Sequence, residues 1–286
     1  LRKIPARDDF TIDLEKLEAQ ILKDQAEGYH PICIVGNGGA VNTGAVDPLD
    51  ELADLAQKYK LWFHIDAAYG GPAAATKLMR AAFKGIERAD SIALDPHKWL
   101  YVPFEAGCAL IRDKKLMRET FSVLPDYLRL DKDNIDRTDF SEYGFQLSRN
   151  FKALKVWMTF KAYGAQALRD AIQSNIQTMR YLGSLIEKSK DFELLAPVPL
   201  SAVCFRYRGE EPRLHQDEDY LARLNKKLIS AIEHDGRLFI TGTIVRGRLA
   251  LRACSVNHRL ERSDVEYVLE ILRELGASVH STEKFS

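Results

Sequence analysis

The chain has no surplus of either charge: 41 lysines and arginines stand against 41 aspartates and glutamates in 286 residues. Zero net charge exerts no electrostatic pull on nucleic acid or anionic lipid, so neither is expected as a partner. Long apolar runs are missing too. Stretches such as Ile32 to Val35 and Ile92 to Leu94 fall far short of the roughly 20 residues a membrane-spanning helix needs, and no bilayer span is expected. Cysteine is scarce. Cys33, Cys108, Cys204 and Cys254 lack a close-spaced pair and sit mostly in apolar, strand-like stretches, which reads as buried reduced thiols in a cytoplasmic protein.

What remains is the composition of an ordinary folded protein, 46% hydrophobic and 29% charged, outside the disordered and collagen-like classes. At roughly 150 residues per domain the length suggests two domains. Leu14, Leu17, Ile21 and Leu22 recur at helical spacing and Gly28 follows, predicting an amphipathic helix ended by glycine. The β-branched run Ile32 to Val35 predicts a buried strand, followed by Gly36-Asn37-Gly38-Gly39. Asp47-Pro48 reads as an N-cap with proline at the first helical position, ahead of an apolar stripe from Leu49 to Tyr59.

Further strands are expected at Trp62 to Asp66 and Ser91 to Leu94, with Gly107 to Ile111 able to pair with the latter. Strands alternating with helices predict a largely parallel sheet covered on both faces, whose ligands bind at the carboxyl ends of the strands. Lys114 to Tyr143 is charged and aperiodic, a candidate lid. Long helices follow at Phe151 to Ala167 and Ala171 to Lys190. Beyond residue 168 the pattern becomes an α+β module, residues 169–286, whose last helix opens on a capping box from Ser263 to Glu266.

Two segments carry the chemistry: His64-Ile65-Asp66-Ala67-Ala68-Tyr69-Gly70-Gly71 and Asp95-Pro96-His97-Lys98-Trp99. Singly, each has a plain reading, since an aspartate after a strand caps turns and a lone lysine is usually a solvated charge. Together they place a carboxylate and an amine after two strands of one parallel sheet. Pyridoxal phosphate asks for that pair: a lysine to hold its aldehyde and an acid to keep its pyridine nitrogen protonated. The small Ala67-Ala68 pair would let a flat ring approach, and His97 could hydrogen-bond cofactor or substrate. The histidines show no convergent metal spacing, so no metal is expected. The glycine-rich run reads better as a tight turn than as a phosphate cradle.

These segments closely resemble the H-V-D-A-A-Y-G-G and D/N-P-H-K-W-L motifs of the group II pyridoxal-phosphate-dependent amino-acid decarboxylases, with Ile65 the only variation in the first. The resemblance covers almost the whole chain. It implies the type I pyridoxal-phosphate transferase fold, similar to aspartate aminotransferase: an α/β large domain with a mainly parallel sheet, here incomplete and spanning residues 1–168, plus a small C-terminal α+β domain. It implies pyridoxal 5'-phosphate as cofactor and decarboxylation of an L-amino acid, aromatic ones first. Lys98 would be the Schiff-base lysine, Asp66 the partner of the pyridine nitrogen, and Ala68 the side chain against the ring. His97 precedes the lysine. Asp95 stands near the cofactor phosphate where some relatives carry asparagine, and an ionised aspartate has no hydrogen to donate there.

By the same resemblance Tyr127 lies on a mobile loop reaching the neighbouring subunit of a homodimer, where it supports protonation after carbon dioxide leaves. Relatives with phenylalanine there tend toward aldehyde formation. Arg149 resembles an arginine ahead of the family's R-x-L-K-x-W stretch, and Arg252 is a candidate for a substrate carboxylate. The sequence departs from the family at Gly39-Ala40-Val41, where many relatives carry a threonine hydroxyl; Asn42 and Thr43 are the nearest replacements. Phosphate-holding and ring-stacking residues fall in a part of the relatives this chain lacks. The chain is therefore expected to be the C-terminal portion of a longer enzyme, either nicked and accompanied by its N-terminal fragment or truncated. An aldehyde synthase, an aminotransferase and a catalytically silent scaffold are the competing readings.

Overall fold

The computed structural model describes residues 1–122, 138–209 and 211–283. Helix α1 (Leu14–Ala26) starts where Asp13 accepts a hydrogen bond from the Lys16 amide, satisfying one of the free N–H groups of the first turn. Strand β1 (Cys33–Asn37) is followed by α2 (Leu49–Tyr59) and β2 (Trp62–Asp66). Then come β3 (Ser91–Leu94), the one-turn helix α3 (Pro96–Trp99) and β4 (Cys108–Ile111). The four strands form one sheet in chain order. β1, β2 and β3 run parallel, and β4 pairs antiparallel with β3, so the sheet is mostly parallel, as expected.

Its coverage differs from expectation. In β1 and β2 the alternate residues Ile34, Phe63 and Ile65 are buried against Leu49, Leu52 and Ala56 of α2. Cys33, Val35 and Asn37, which pair in register with Trp62, His64 and Asp66, are exposed. One face is thus packed and the other is left uncovered by the described residues. The run Ile32 to Val35 concealed this because Ile32 and Val35, although apolar, are 79% and 49% exposed.

Two local expectations are corrected. Asp47 does not cap α2, since Pro48 occupies the capping position without a side-chain bond. The buried Asp47 carboxylate instead accepts from the Ile12 amide at 2.7 Å and the Asn37 amide at 2.7 Å, tying the N-terminal strap to the end of β1. The anticipated pair of long helices is present within α5 (Lys152–Lys188), but the break between them falls at Gly164, whose φ of 77° and ψ of 156° leave the helical region, and not at residues 168–170. Helix α4 (Lys114–Phe121) precedes it, and Arg118 pairs with the buried Glu142 at 2.7 Å, joining the two ends of the charged 114–143 segment.

The second sheet is antiparallel, in the order β5 (Phe192–Leu194), β6 (Ala202–Tyr207), β8 (Arg248–Cys254), β7 (Thr241–Val245). Helices α6 (Glu218–Asp235) and α7 (Arg262–Glu283) bury Leu224, Leu228, Leu269 and Leu272 against Phe205 and Leu251. A buried leucine contributes about 2 kcal/mol, so this apolar layer holds the module together. The capping box at the start of α7 is shifted by two residues: Asp264 accepts from the Glu261 amide at 2.8 Å, whereas Glu266 accepts from Tyr181. Ile172, Ile176 and Leu200 pack into the core of the first sheet, so contacts run across residue 168. The cysteines are also less buried than expected. Only Cys204 is fully buried; Cys33 and Cys254 are exposed, and all four are free thiols.

Candidate active site

Three loops leave the carboxyl ends of β1, β2 and β3 side by side, and backbone hydrogen bonds lace them together. The Gly38 amide donates to the Asp66 carbonyl at 2.7 Å, Ala67 to Ala93 at 3.0 Å, and Asp95 to Ala68 at 3.2 Å. The register pairs Asn37 with Asp66 and Asp66 with Ala93. The two segments singled out in the sequence are therefore brought to one edge of one sheet.

Asp66 closes β2 on the uncovered face, exposed, and its carboxylate accepts only the turn bond from the Ala68 amide at 3.2 Å. It forms no ion pair among the described residues. Lys98 sits in α3, whose first turn is preset by Pro96. Its amide donates to the Asp95 carbonyl at 2.9 Å and its ammonium lies 2.8 Å from Asp95 Oδ2, with the lysine side chain 41% exposed. The Asp95 carboxylate is thus engaged with the lysine. Ala68 is half-buried beside Asp66.

His97 is half-buried, its ring edge-on to Phe104 at 4.9 Å. Nδ1 lies 2.8 Å from the Ala106 carbonyl, a contact shorter than the 3.2 Å to the Ala106 amide. The carbonyl contact uses Nδ1 as a donor and the amide contact uses it as an acceptor, so the two belong to different tautomers, and both engage Nδ1 and not Nε2. His64, on the same face as Asp66, shares Ser91 Oγ with Trp62 Nε1, at 2.7 and 2.8 Å. This network was not anticipated. Its only sequence signal is the alternation of Trp62, His64 and Asp66 along one strand.

The glycine-rich stretch is a packing device. A Cβ on Gly70 would stand 2.1 Å from the Gly38 carbonyl oxygen, and one on Gly39 would stand 2.8 Å from Gly70 Cα. Two backbones meet there without room for side chains. Thr43 does not replace the missing hydroxyl: it is buried, and its Oγ1 accepts from the Ala45 amide at 3.3 Å within its own loop. Arg252 is bound elsewhere than to an open pocket, its Nε donating to the Asn42 carbonyl at 3.2 Å. Arg149 is exposed. Tyr127 lies outside the described residues. Among the described residues no cluster of histidine, cysteine, aspartate or glutamate could hold a metal ion.

The donor set fits an aldehyde-bearing, cationic ring. Lys98 supplies an accessible amine and Asp66 a carboxylate with no cation partner among the described residues. Ala68 presents only a methyl, and the uncovered face leaves room for a flat ligand.

Comparison with known proteins agrees. The pyridoxal-dependent decarboxylase conserved domain matches residues 1–208. An aromatic-L-amino-acid decarboxylase of Bacillus atrophaeus is 37% identical over 276 residues, covering 96% of this chain and 56% of that protein. Phenylacetaldehyde synthase of Petunia hybrida is 32% identical over 248 residues, covering 85% of this chain and 49% of that protein. Tryptophan decarboxylase of Catharanthus roseus, solved with L-tryptophan, superimposes with a TM-score of 0.85 at 30% identity, covering 97% of this chain and 56% of that one. The chain spans about half the length of the relatives it matches.

Proposed function

The chain belongs to the pyridoxal-dependent decarboxylase family, and from that premise we propose that it carries the lysine and carboxylate of an enzyme converting an L-amino acid, aromatic ones first, into its primary amine and carbon dioxide. The observation that carries the proposal is the placement of Asp66, last residue of β2, and Lys98, in the helix just after β3, at the same edge of one mostly parallel sheet, laced by the Asp95 to Ala68 backbone bond.

Pyridoxal 5'-phosphate, when bound, supplies an electron sink for the pair left behind as the carboxylate departs. The chain's own groups do the rest. The Lys98 amine would hold the cofactor by its aldehyde. Asp66 holds a proton at the pyridine nitrogen, and its freedom from any cation among the described residues leaves it available for that charge. Ala68 would lay its methyl against one face of the ring. His97, its Nδ1 held against the Ala106 backbone, has Nε2 left to carry a proton. Tyr127, by resemblance to the family, delivers the proton that replaces carbon dioxide on the substrate carbon. Holding reactants in place in this way is what lowers the barrier.

The reading includes a homodimer whose partner loop completes the site, together with the remaining portion of the enzyme. The uncovered face bearing Val35, Asn37 and His64 is the seat proposed for that portion. A reducing, cytoplasmic setting is proposed as well, in keeping with four free thiols; among the described residues no helix is long and apolar enough to cross a membrane. Likeness to phenylacetaldehyde synthase supports a second reading, oxidative release of an aldehyde. The test is a panel of L-amino acids incubated with the full enzyme and cofactor, with Lys98→Ala as control. Equimolar amine and carbon dioxide are expected. An aldehyde product selects the second reading, and no turnover of any substrate contradicts both.

A further inference from the structure

The strongest unassigned feature is a buried aromatic pair behind the candidate site. Tyr69 lies three residues after Asp66, and Trp99 follows Lys98. Their rings stack face to face, centroids 5.1 Å apart and planes 5° from parallel. Trp99 is 0% and Tyr69 8% exposed. The pair joins the loop that carries the carboxylate to the helix that carries the amine.

Both polar ends of the stack are held from the far side of the molecule. Tyr69 OH lies 2.6 Å from Ser201 Oγ and accepts from the Ser201 amide at 3.1 Å. Trp99 Nε1 donates to Asn175 Oδ1 at 3.1 Å, and Tyr101 OH donates to the same oxygen at 2.9 Å. Asn175 Nδ2 then donates to the Asn257 carbonyl at 2.7 Å. Asn175 is 1% and Ser201 0% exposed. The Ser255 amide donates to the Ser201 carbonyl at 3.1 Å, so both clamps end on the segment just after β8. Tyr101, three residues after Lys98, has a φ of 55°, a left-handed backbone that a non-glycine residue adopts only when held. Its ring meets His258 edge-on at 5.4 Å.

A buried amide that makes three hydrogen bonds, two accepted from aromatic donors and one donated to a carbonyl, is expensive to disturb. Stacked rings transmit a displacement of either partner, because close packing leaves no slack. We propose that Asn175 and Ser201 are positioning residues: through the Tyr69–Trp99 stack they fix the placement of Lys98 relative to Asp66, and so couple the C-terminal module to the site. The inference rests on the proposed role of Asp66 and Lys98 and adds the residues that set their geometry.

The test uses the holoenzyme carrying Tyr69→Phe, Ser201→Ala, Asn175→Leu, Asn175→Asp and the double variant of Tyr69→Phe with Asn175→Leu. Two quantities are read besides melting temperature: the rate at which cofactor-free protein acquires a borohydride-trappable pyridoxyl group on Lys98, and kcat against KM. Tyr69→Phe and Asn175→Leu are each expected to slow attachment and lower kcat about tenfold with KM nearly unchanged, as sub-ångström misplacement of reacting groups does. Asn175→Asp, which keeps the acceptor for Trp99 and Tyr101, restores most of the attachment rate. The double variant falls no lower than its worse single, because both clamps act through one stack. Lower melting temperatures with attachment and kcat within about twofold of wild type would overturn the proposal. If the large asparagine variants do not fold, Tyr69→Phe and Ser201→Ala decide alone by the same readout. Additive melting shifts of Tyr69→Phe with Ser201→Ala or Asn175→Leu in cofactor-free protein overturn the shared brace whether or not cofactor attaches. A wild-type enzyme that never acquires the pyridoxyl group overturns the decarboxylase reading alone.

Discussion

The Asp95 carboxylate lies 2.8 Å from the Lys98 ammonium, three residues apart across the first turn of α3. This contact assigns Asp95 to the lysine. It also accounts for an acid where some relatives carry asparagine, since an aspartate that cannot donate to a phosphate can still hold an ammonium.

Both members of that pair are partly exposed, 41% and 26%. Solvent screening limits such a pair to about 1 kcal/mol or less. Asp95→Asn is therefore expected to move the urea midpoint only slightly and to leave cofactor attachment at Lys98 intact. Equilibrium unfolding beside adduct mass spectrometry checks this; loss of the adduct would show that Asp95 does more than pair with the amine.

Asp66→Asn removes the negative charge without changing size. The side chain is exposed and makes one turn bond, so the fold should be unaffected. The proton held at the pyridine nitrogen is lost, and kcat for carbon dioxide release should drop about 10²–10³-fold, the scale of a missing preorganised charge. Steady-state kinetics with a matched circular dichroism melt separates the two effects.

A pH dependence follows from the C-terminal module. Arg206, 3% exposed, pairs with Glu218 at 2.6 Å, and that hydrogen bond holds the Glu218 carboxyl below its ordinary value. A depressed folded value means the stabilisation is present above the ordinary carboxylate range and lost as pH falls through the depressed one. Glu218→Gln should lower the urea midpoint at neutral pH, and its difference from wild type should shrink as pH falls below the ordinary carboxylate range. Half-exposure of Glu218 keeps the effect modest.

Thiol reactivity offers a check on burial. Desolvation pushes the Cys204 thiol up to about 11, whereas Cys254, diagonal to it across β6 and β8, is exposed. Iodoacetamide at about pH 8 should alkylate Cys254 well before Cys204, since the thiolate is the reacting form. Peptide mass mapping over time reads the order directly.

Much of this arrangement was legible in the residues, for identifiable reasons. The helical spacing of Leu17 and Ile21 with Asp13 ahead specifies α1, and the two motif segments locate Asp66 and Lys98 at strand ends. Local pattern could not report what depends on distant partners. Asp47 looks like a helix cap because Pro48 follows it, but the Ile12 and Asn37 amides compete for its carboxylate and win. The uncovered sheet face hides behind apolar Ile32 and Val35. Asn175 sits in a helix with no motif around it, and its three partners are 74 or more positions away.

The central claim is that Lys98 is the amine that takes the cofactor aldehyde, with Asp66 beside it. Borohydride reduction of the holoenzyme followed by peptide mass spectrometry tests it most directly. The account predicts one pyridoxyl group on the peptide containing Lys98, absent in Lys98→Ala. A pyridoxyl group on any other lysine, or its persistence in Lys98→Ala, would contradict it.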